Sequence, residues 1–284
     1  MKKLICIIVV LSIGCQPLMA TRGLKITHIA NEGFLLDGGD KKVIIDGIFG
    51  PKELGFCDTP PANMVEKLKK AQAPFDRVDL ILITHAHVDH VDASLVNQFL
   101  EHNTTCHLVG TDQVIVQLRA ASQQTSDKQL HAITPDPGQS KTCSFNGVDV
   151  EVFRLKHCDY FVTDKQTGKK INRHANMQNV GYVVHIGDQK ILHIGDNAMD
   201  SEAEFANYDF AKMNLDVAML GSLVWKPVDP KIDLVNRIIR PKHIILMHLN
   251  KGSKDKYVNF IETHKNELPP VTLFRELMEV KNFD

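Results

Sequence analysis

The stretch that most constrains this chain is Leu80-Ile81-Leu82-Ile83 followed at once by Thr84-His85-Ala86-His87-Val88-Asp89-His90, with Asp92 opening an amphipathic segment beyond it. A short apolar run bounded by polar residues reads as a strand, and Asp92 before the periodic Ala93–Leu100 reads as a helix N-cap. The histidines therefore lie at the turn between a strand and a helix. His85 and His87, two apart in an extended segment, point to the same side. Asp89 and His90 fall where the chain reverses and reach a second position nearby. Four ligand-type side chains in six residues at a strand end predict a metal site, and one short segment can serve two ions.

The same reading extends along the chain. Alternation or short apolar runs predict strands near Leu24–Ile29, Phe34–Leu36, Val43–Asp46 and Val148–Leu155, with helices over Asn63–Ala71 and Gln113–Ala121. The second half repeats the order. Val180–Ile186 and Lys190–Ile194 form a hairpin around Gly187-Asp188, a helix follows Asp200, Asp216–Leu220 is a strand, Leu234–Ile239 is helical, and Lys242–His248 returns as a buried strand. Two strand-then-helix halves without a linker predict an α/β fold, a four-layer αββα sandwich over residues 21–284.

Export is expected from the N-terminus. Met1-Lys2-Lys3 and the apolar run Leu4 to Ile13 have the form of a secretory signal covering residues 1–20, too short to span as an anchor. Cleavage after Ala20 is one outcome. Lipid attachment at Cys15 is the other, and only that would tie the protein to a membrane. Removal of the signal leaves Cys57, Cys106, Cys143 and Cys158, with no Cys-x-x-Cys pair to suggest a thiolate zinc or redox site. With 33 basic against 34 acidic residues, no nucleic-acid partner is expected, and a small-molecule substrate is.

The His-x-His-x-Asp-His pattern of His85, His87, Asp89 and His90 resembles the metallo-β-lactamase superfamily at every fixed position. The resemblance implies a third histidine after a later strand, a bridging acid after a glycine and a last histidine near the C-terminus. Asp196 in His193-Ile194-Gly195-Asp196 and His248 after Ile244-Ile245-Leu246-Met247 fit the last two. By resemblance, His85, His87 and the third histidine hold one metal, Asp89, His90 and His248 the other, and Asp196 bridges. Asp89 and Asp196 are the carboxylates given a catalytic part.

Two residues compete for third histidine. His157 directly follows the strand ending in Lys156, which resembles the ascorbate-phosphate lactonase-like branch, and is preferred. His174 suits other branches by its spacing to Asp196. With His157 as ligand, Asp159 to Asn179 becomes a loop over the pocket offering Lys169, Lys170, Arg173, His174 and Asn176 to substrate. His185 and His193 read as sheet-surface groups or supports of the ligands, Asp46 as an acceptor for a metal-bound imidazole, Trp225 as packing and Cys158 as merely buried.

The chemistry expected is hydrolysis of an ester, lactone, amide or phosphodiester bond by hydroxide that two divalent ions generate near neutral pH. Zinc is the first choice for an imidazole-rich site, with manganese or iron as alternatives. No Gly-x-Ser-x-Gly elbow or Gly-rich phosphate loop points elsewhere. Two other classes stand beside it: a mononuclear iron dioxygenase using the same loop, and a non-catalytic metal-binding or sensing module. The related di-iron oxygen reductases carry Glu at the position of His87, which counts against an oxidoreductase.

Overall fold

The computed structural model describes residues 23–226 and 230–283. The expected signal at residues 1–20, including Cys15, lies outside them. No described helix is long and apolar enough to cross a membrane.

The first half lays down β1 (Leu24–Ala30), β2 (Gly33–Asp37), β3 (Lys42–Ile45), β4 (Leu80–Ile83), β5 (His107–Gly110) and β6 (Leu130–Ala132) as neighbours in one sheet. Pairing is antiparallel from β1 to β3 and parallel from β3 to β6. The second half forms a matching sheet from β7 (Ser140–Phe145), β8 (Val148–Lys156), β11 (Gln178–Ile186), β12 (Gln189–His193), β13 (Val217–Gly221), β14 (His243–Met247) and β15 (Val271–Leu273). A separate hairpin, β9 (Phe161–Thr163) with β10 (Lys170–Asn172), interrupts it. The last strand, β16 (Val280–Phe283), crosses back to pair with β1.

Alternation along the strands shows why there are layers. Phe34, Leu36, Val43, Ile45, Leu80 and Leu82 pack against Val150, Val152, Tyr182 and Val184 of the other sheet. Their sequence neighbours Leu35, Ile44, Ile81 and Ile83 point the opposite way and pack on α1 (Ala62–Lys69), α2 (Ala93–His102) and α3 (Asp112–Ala121). Burying both faces of a strand is what makes Leu80–Ile83 continuously apolar. On the far face of the second sheet lie α4 (Glu202–Phe205), α5 (Ile232–Leu234), continued by a π-helical turn at Val235–Ile239, and α6 (Lys254–His264). Helix caps follow the sequence: Asp92 accepts from the Leu95 amide at 3.0 Å and Thr111 from Val114 at 3.3 Å.

The structure differs from expectation at several points. The helix after Asp200 is a single turn capped by Ser201. The segment expected as a loop over Asp159 to Asn179 contains the short hairpin of β9 and β10, and its last two residues belong to β11, where Gln178 pairs with Lys156. Cys158 is half-buried rather than buried. Trp225 is packing as expected, fully enclosed against Phe260. All four described cysteines are free.

Candidate metal centre

Every ligand-type side chain of the sequence motif stands on a strand end at one rim of the sandwich. β4 stops at Ile83 because the next backbone amide, Thr84, is captured by the carboxylate of Asp46 at 2.8 Å. Asp46 is fully buried, and it also accepts from Thr84 Oγ1 at 2.6 Å and from His90 Nδ1 at 2.9 Å. Since the Thr84 hydroxyl proton is committed to Asp46, its oxygen can only accept from His85 Nδ1, 3.0 Å away. Asp46 thus sets two imidazoles at once, turning Nε2 of both His85 and His90 inward. Across the site, His157 donates from Nδ1 to the Cys158 carbonyl at 2.9 Å, which turns its Nε2 inward as well.

The inward atoms form two groups that share Asp196. In the first, His87 Nδ1 lies 3.0 Å from His85 Nε2 and 3.2 Å from His157 Nε2. Asp196 Oδ2 is 3.7 and 3.3 Å from those two Nε2 atoms. In the second, Asp89 Oδ2 is 3.5 Å from both His90 Nε2 and His248 Nε2, and Asp196 Oδ1 is 3.4 Å from each of them. A tetrahedral ion with ligands near 2.1 Å spaces them about 3.4 Å apart. The separations given for both groups lie near that value. At most one hydrogen, on His87 Nδ1, can lie among the three nitrogens of the first group, so lone pairs there face one another. His90 Nε2 and Asp196 Oδ1 have no hydrogen-bond partner although both are buried. Converging, unpartnered donors of this kind are costly unless a cation sits among them. The residues fit divalent metal.

The two groups differ electrically. Burial, then the neighbouring His157, lowers His87 to about 4, and burial drives His85 well below the ordinary histidine value. In the second group burial works the same way but is outweighed. Asp89, Asp196 and Asp46 raise His90 well above its usual value, and Asp196, Asp89 and Glu32 lift His248 to about 9. Burial alone would raise Asp196, but His248 and His90 hold it well below the carboxylate range. Without metal, protons on the second group's imidazoles carry the positive charge that a cation would supply.

Backbone geometry at the rim is specialised. Gly195, at φ +55°, delivers Asp196, and a Cβ there would meet Asn179 Oδ1 at 2.4 Å and Thr84 Cβ at 2.9 Å, so no other residue fits. Asn31, Asp46 and His248 also adopt left-handed φ, at 51°, 46° and 52°. Each ends a strand and turns its side chain sideways into the site. Such positions cost free energy and cluster where function needs them.

The structure brings together His85, His87, Asp89, His90, His157, Asp196 and His248. His174 stays outside the groups of four. Its ring centroid lies 4.3 Å from that of His157 and 4.8 Å from that of His87, and its Nδ1 binds the Cys158 carbonyl at 3.0 Å. Cys158 Sγ is 3.5 Å from His157 Nδ1, on the side away from the inward nitrogen. Asn176 is exposed and touches Gln113 through its carbonyl, and no hydrogen bond among the described residues joins Lys169, Lys170 or Arg173 to the cluster. His185 is exposed, whereas His193 is fully buried between the Glu32 carbonyl and the Gly195 amide. Three functional neighbours have no signal in the sequence pattern. Asn31 Nδ2 donates to Asp89 Oδ2 at 3.0 Å, Asn179 ties the Leu155 and Ile194 carbonyls to the Asp196 amide, and Glu32 is buried beside His90. Asn31-Glu32-Gly33 reads as an ordinary polar turn between strands, and only its enclosure reveals it.

Residues 42–258 match the family described as the beta-lactamase superfamily domain. The chain belongs to the metallo-β-lactamase superfamily. It is 25% identical over 223 residues to a UPF0173 metal-dependent hydrolase of Polynucleobacter asymbioticus, covering 76% of this chain and 70% of the relative. A possible metal-dependent hydrolase from Veillonella parvula superposes with a TM-score of 0.61 at 17% identity, over 91% of this chain and 99% of that one. The metallo-β-lactamase fold protein YhfI of Bacillus subtilis does so with 0.57 at 14% identity, over 92% and 99%. At those identities the likeness is one of fold.

Proposed function

We propose that this protein is a metal-dependent hydrolase holding two divalent ions, acting on an ester, lactone, amide or phosphodiester bond of a small molecule. The carrying observation is the pair of four-atom groups sharing Asp196, with separations of 3.0–3.7 Å and with His85, His90 and His157 oriented from behind. In this reading His85, His87 and His157 hold one ion, Asp89, His90 and His248 the other, and Asp196 lends one oxygen to each. Zinc is the first choice, with manganese or iron as alternatives.

The ions, when bound, lower the pKa of water and polarise the bond to be cleaved. The chain's residues supply everything around that step. Asp46 holds His85, through Thr84, and His90 in the tautomer that turns Nε2 inward. Asn31 fixes the Asp89 carboxylate. His174, its Nδ1 committed to Cys158, keeps Nε2 as an acceptor beside His87 and His157, and burial lowers its pKa so that it is neutral near pH 7. A cleft of about 550 Å³ lined by Arg154, Lys156, His157 and His174 offers room for a small substrate.

The test is elemental analysis of purified protein followed by a screen of lactones, phosphodiesters and β-lactams, with oxygen consumption measured in parallel. We expect close to two ions per chain, fewer in His85→Ala or His87→Ala, and metal-dependent cleavage in at least one substrate class. Protein grown with zinc, manganese and iron that retains no transition metal defeats the proposal. Oxygen uptake without cleavage favours the dioxygenase instead. We also propose export, with mature protein starting near Thr21 or at a lipid-modified Cys15. Intact Met1 in the mass spectrum of fractionated cells defeats that.

A further inference from the structure

Glu32 is the most enclosed carboxylate of the rim without a task. It is 1% exposed, and neither carboxylate oxygen has a hydrogen-bond partner. It follows Asn31 in the turn between β1 and β2, and His90 Nδ1 lies 3.9 Å from its Oε2. That N–H is already given to Asp46 at 2.9 Å. His193, the other imidazole nearby, donates from Nε2 to the backbone carbonyl of Glu32 at 3.1 Å and accepts the Gly195 amide at Nδ1. The Nδ1–H of His90 and the Nε2–H of His193 are thus both directed away from the carboxylate, and no Lys or Arg pairs with it among the described residues.

What does lie within reach is the His90 and Asp196 side of the second ligand group. An oxygen of Glu32 sits within 4.8 Å of a ring nitrogen of His90 and of a carboxylate oxygen of Asp196, residues whose Nε2 and Oδ1 have no hydrogen-bond partner. Space for the carboxylate is kept by Gly221 at the end of β13, where a Cβ would come within 3.2 Å of Glu32 Oε1 and 3.7 Å of His248 Cβ. Charge counting leads to the same place. Glu32, Asp46, Asp89 and Asp196 are all buried around the cluster. Four buried carboxylates gathered in one place favour divalent cations among them, and Glu32 is one of the four.

We propose that Glu32 supplies a carboxylate oxygen to the cation held by Asp89, His90, His248 and Asp196, and makes that position the more receptive of the two to Mn2+. The inference rests on the reading of the two groups as metal positions. With Glu32 the second position offers three carboxylates and two imidazoles, a set that suits manganese. The first offers three imidazoles and one carboxylate, a set that suits zinc. One chain would then hold two different ions, sorted by donor chemistry.

The experiment uses the metal-free full chain and two probes, Zn2+ and Mn2+, offered together and separately. Bound metal is counted by elemental analysis, and Mn2+ is followed by electron paramagnetic resonance. With Zn2+ limited to one equivalent and Mn2+ in excess, wild type is expected to hold zinc at the imidazole-rich position and manganese at the other. Glu32→Gln keeps shape and loses charge, and it should weaken Mn2+ about ten- to hundredfold while leaving the zinc-preferring position filled. Glu32→Asp keeps charge and loses length, and it should fall between the two. A packing role alone would reverse that order, because Gln is the better fit in volume, so Mn2+ affinity in Glu32→Gln at or above that of Glu32→Asp overturns the proposal. Should Glu32→Gln not fold, wild-type Mn2+ affinity in Glu32→Asp has the same consequence. Wild type that binds neither probe sinks the metal reading itself, and Glu32 with it.

Discussion

The two ligand groups share a carboxylate and a seven-residue loop, yet they are opposite electrical environments. The first gathers three imidazoles around Asp196 Oδ2, and burial keeps His85 and His87 neutral. The second sets His90 and His248 among Asp89, Asp196, Asp46 and Glu32, and the carboxylates hold both rings in the charged form when no metal is present. An ion entering the first group would therefore meet ready lone pairs, whereas one entering the second would displace protons. One fold element can build two groups of different charge and pH response simply by choosing which neighbours face each.

The largest expected effect breaks the comparison by removing what the groups share. Asp196→Asn keeps the shape and loses the charge that sits between the two positions. Turnover should fall a hundredfold or more, the order seen when a positioned electrostatic group is removed, and at least one ion should be lost. Elemental analysis and turnover, with circular dichroism as the folding control, decide it. Full activity with two ions in folded Asp196→Asn would take Asp196 out of the site.

A smaller effect tests the support that crosses between groups. Asp46 orients His90 directly and His85 through Thr84. Asp46→Asn should weaken metal at both positions, by about ten- to hundredfold, whereas Thr84→Val should weaken mainly the first. Titration of each metal-free variant with Zn2+ separates them. Equal loss at both positions in Thr84→Val would contradict the chain of hydrogen bonds described.

The finest distinction is in pH. In metal-free protein His87 lies at about 4, below its ordinary 6.5, so its contribution to stability is present above 6.5 and lost as pH falls through about 4. His248 lies at about 9, so its contribution is present below 6.5 and lost as pH rises through about 9. The metal-free thermal midpoint should decline on both flanks, and His248→Ala should flatten only the alkaline one. At pH 7, filling the second position should release about one proton from His248, while His87 releases none. Calorimetry in buffers of different ionisation enthalpy counts those protons, and equal release from wild type and His248→Ala would erase the contrast.

Much of this was legible in the chain. A strand buried on both faces must be continuously apolar, and ligands adjacent in sequence at its end must be adjacent in space, so Leu80 to His90 announces both the layer and the loop. The same holds for Gly195-Asp196 and for His248 after β14, because a strand end is a local feature. The choice between His157 and His174 is different in kind. Both rings approach His87, and only the pairing of β8 with β11 puts His157 Nε2 3.3 Å from Asp196 while leaving His174 on the rim. The hairpin of β9 and β10 and the return of β16 to the first sheet also escaped the pattern. These strands are short, and exposed residues such as Phe161, Ile171 and Val280 leave them no clean alternation. Asn31 and Glu32 are the sharpest case. A polar turn reads as solvated from sequence, and whether it is solvated or sealed against His90 and Asp89 depends on strands more than fifty residues away. Local periodicity determines which side chains a strand offers, but burial, tautomer and charge are set by what the second sheet brings across from far along the chain.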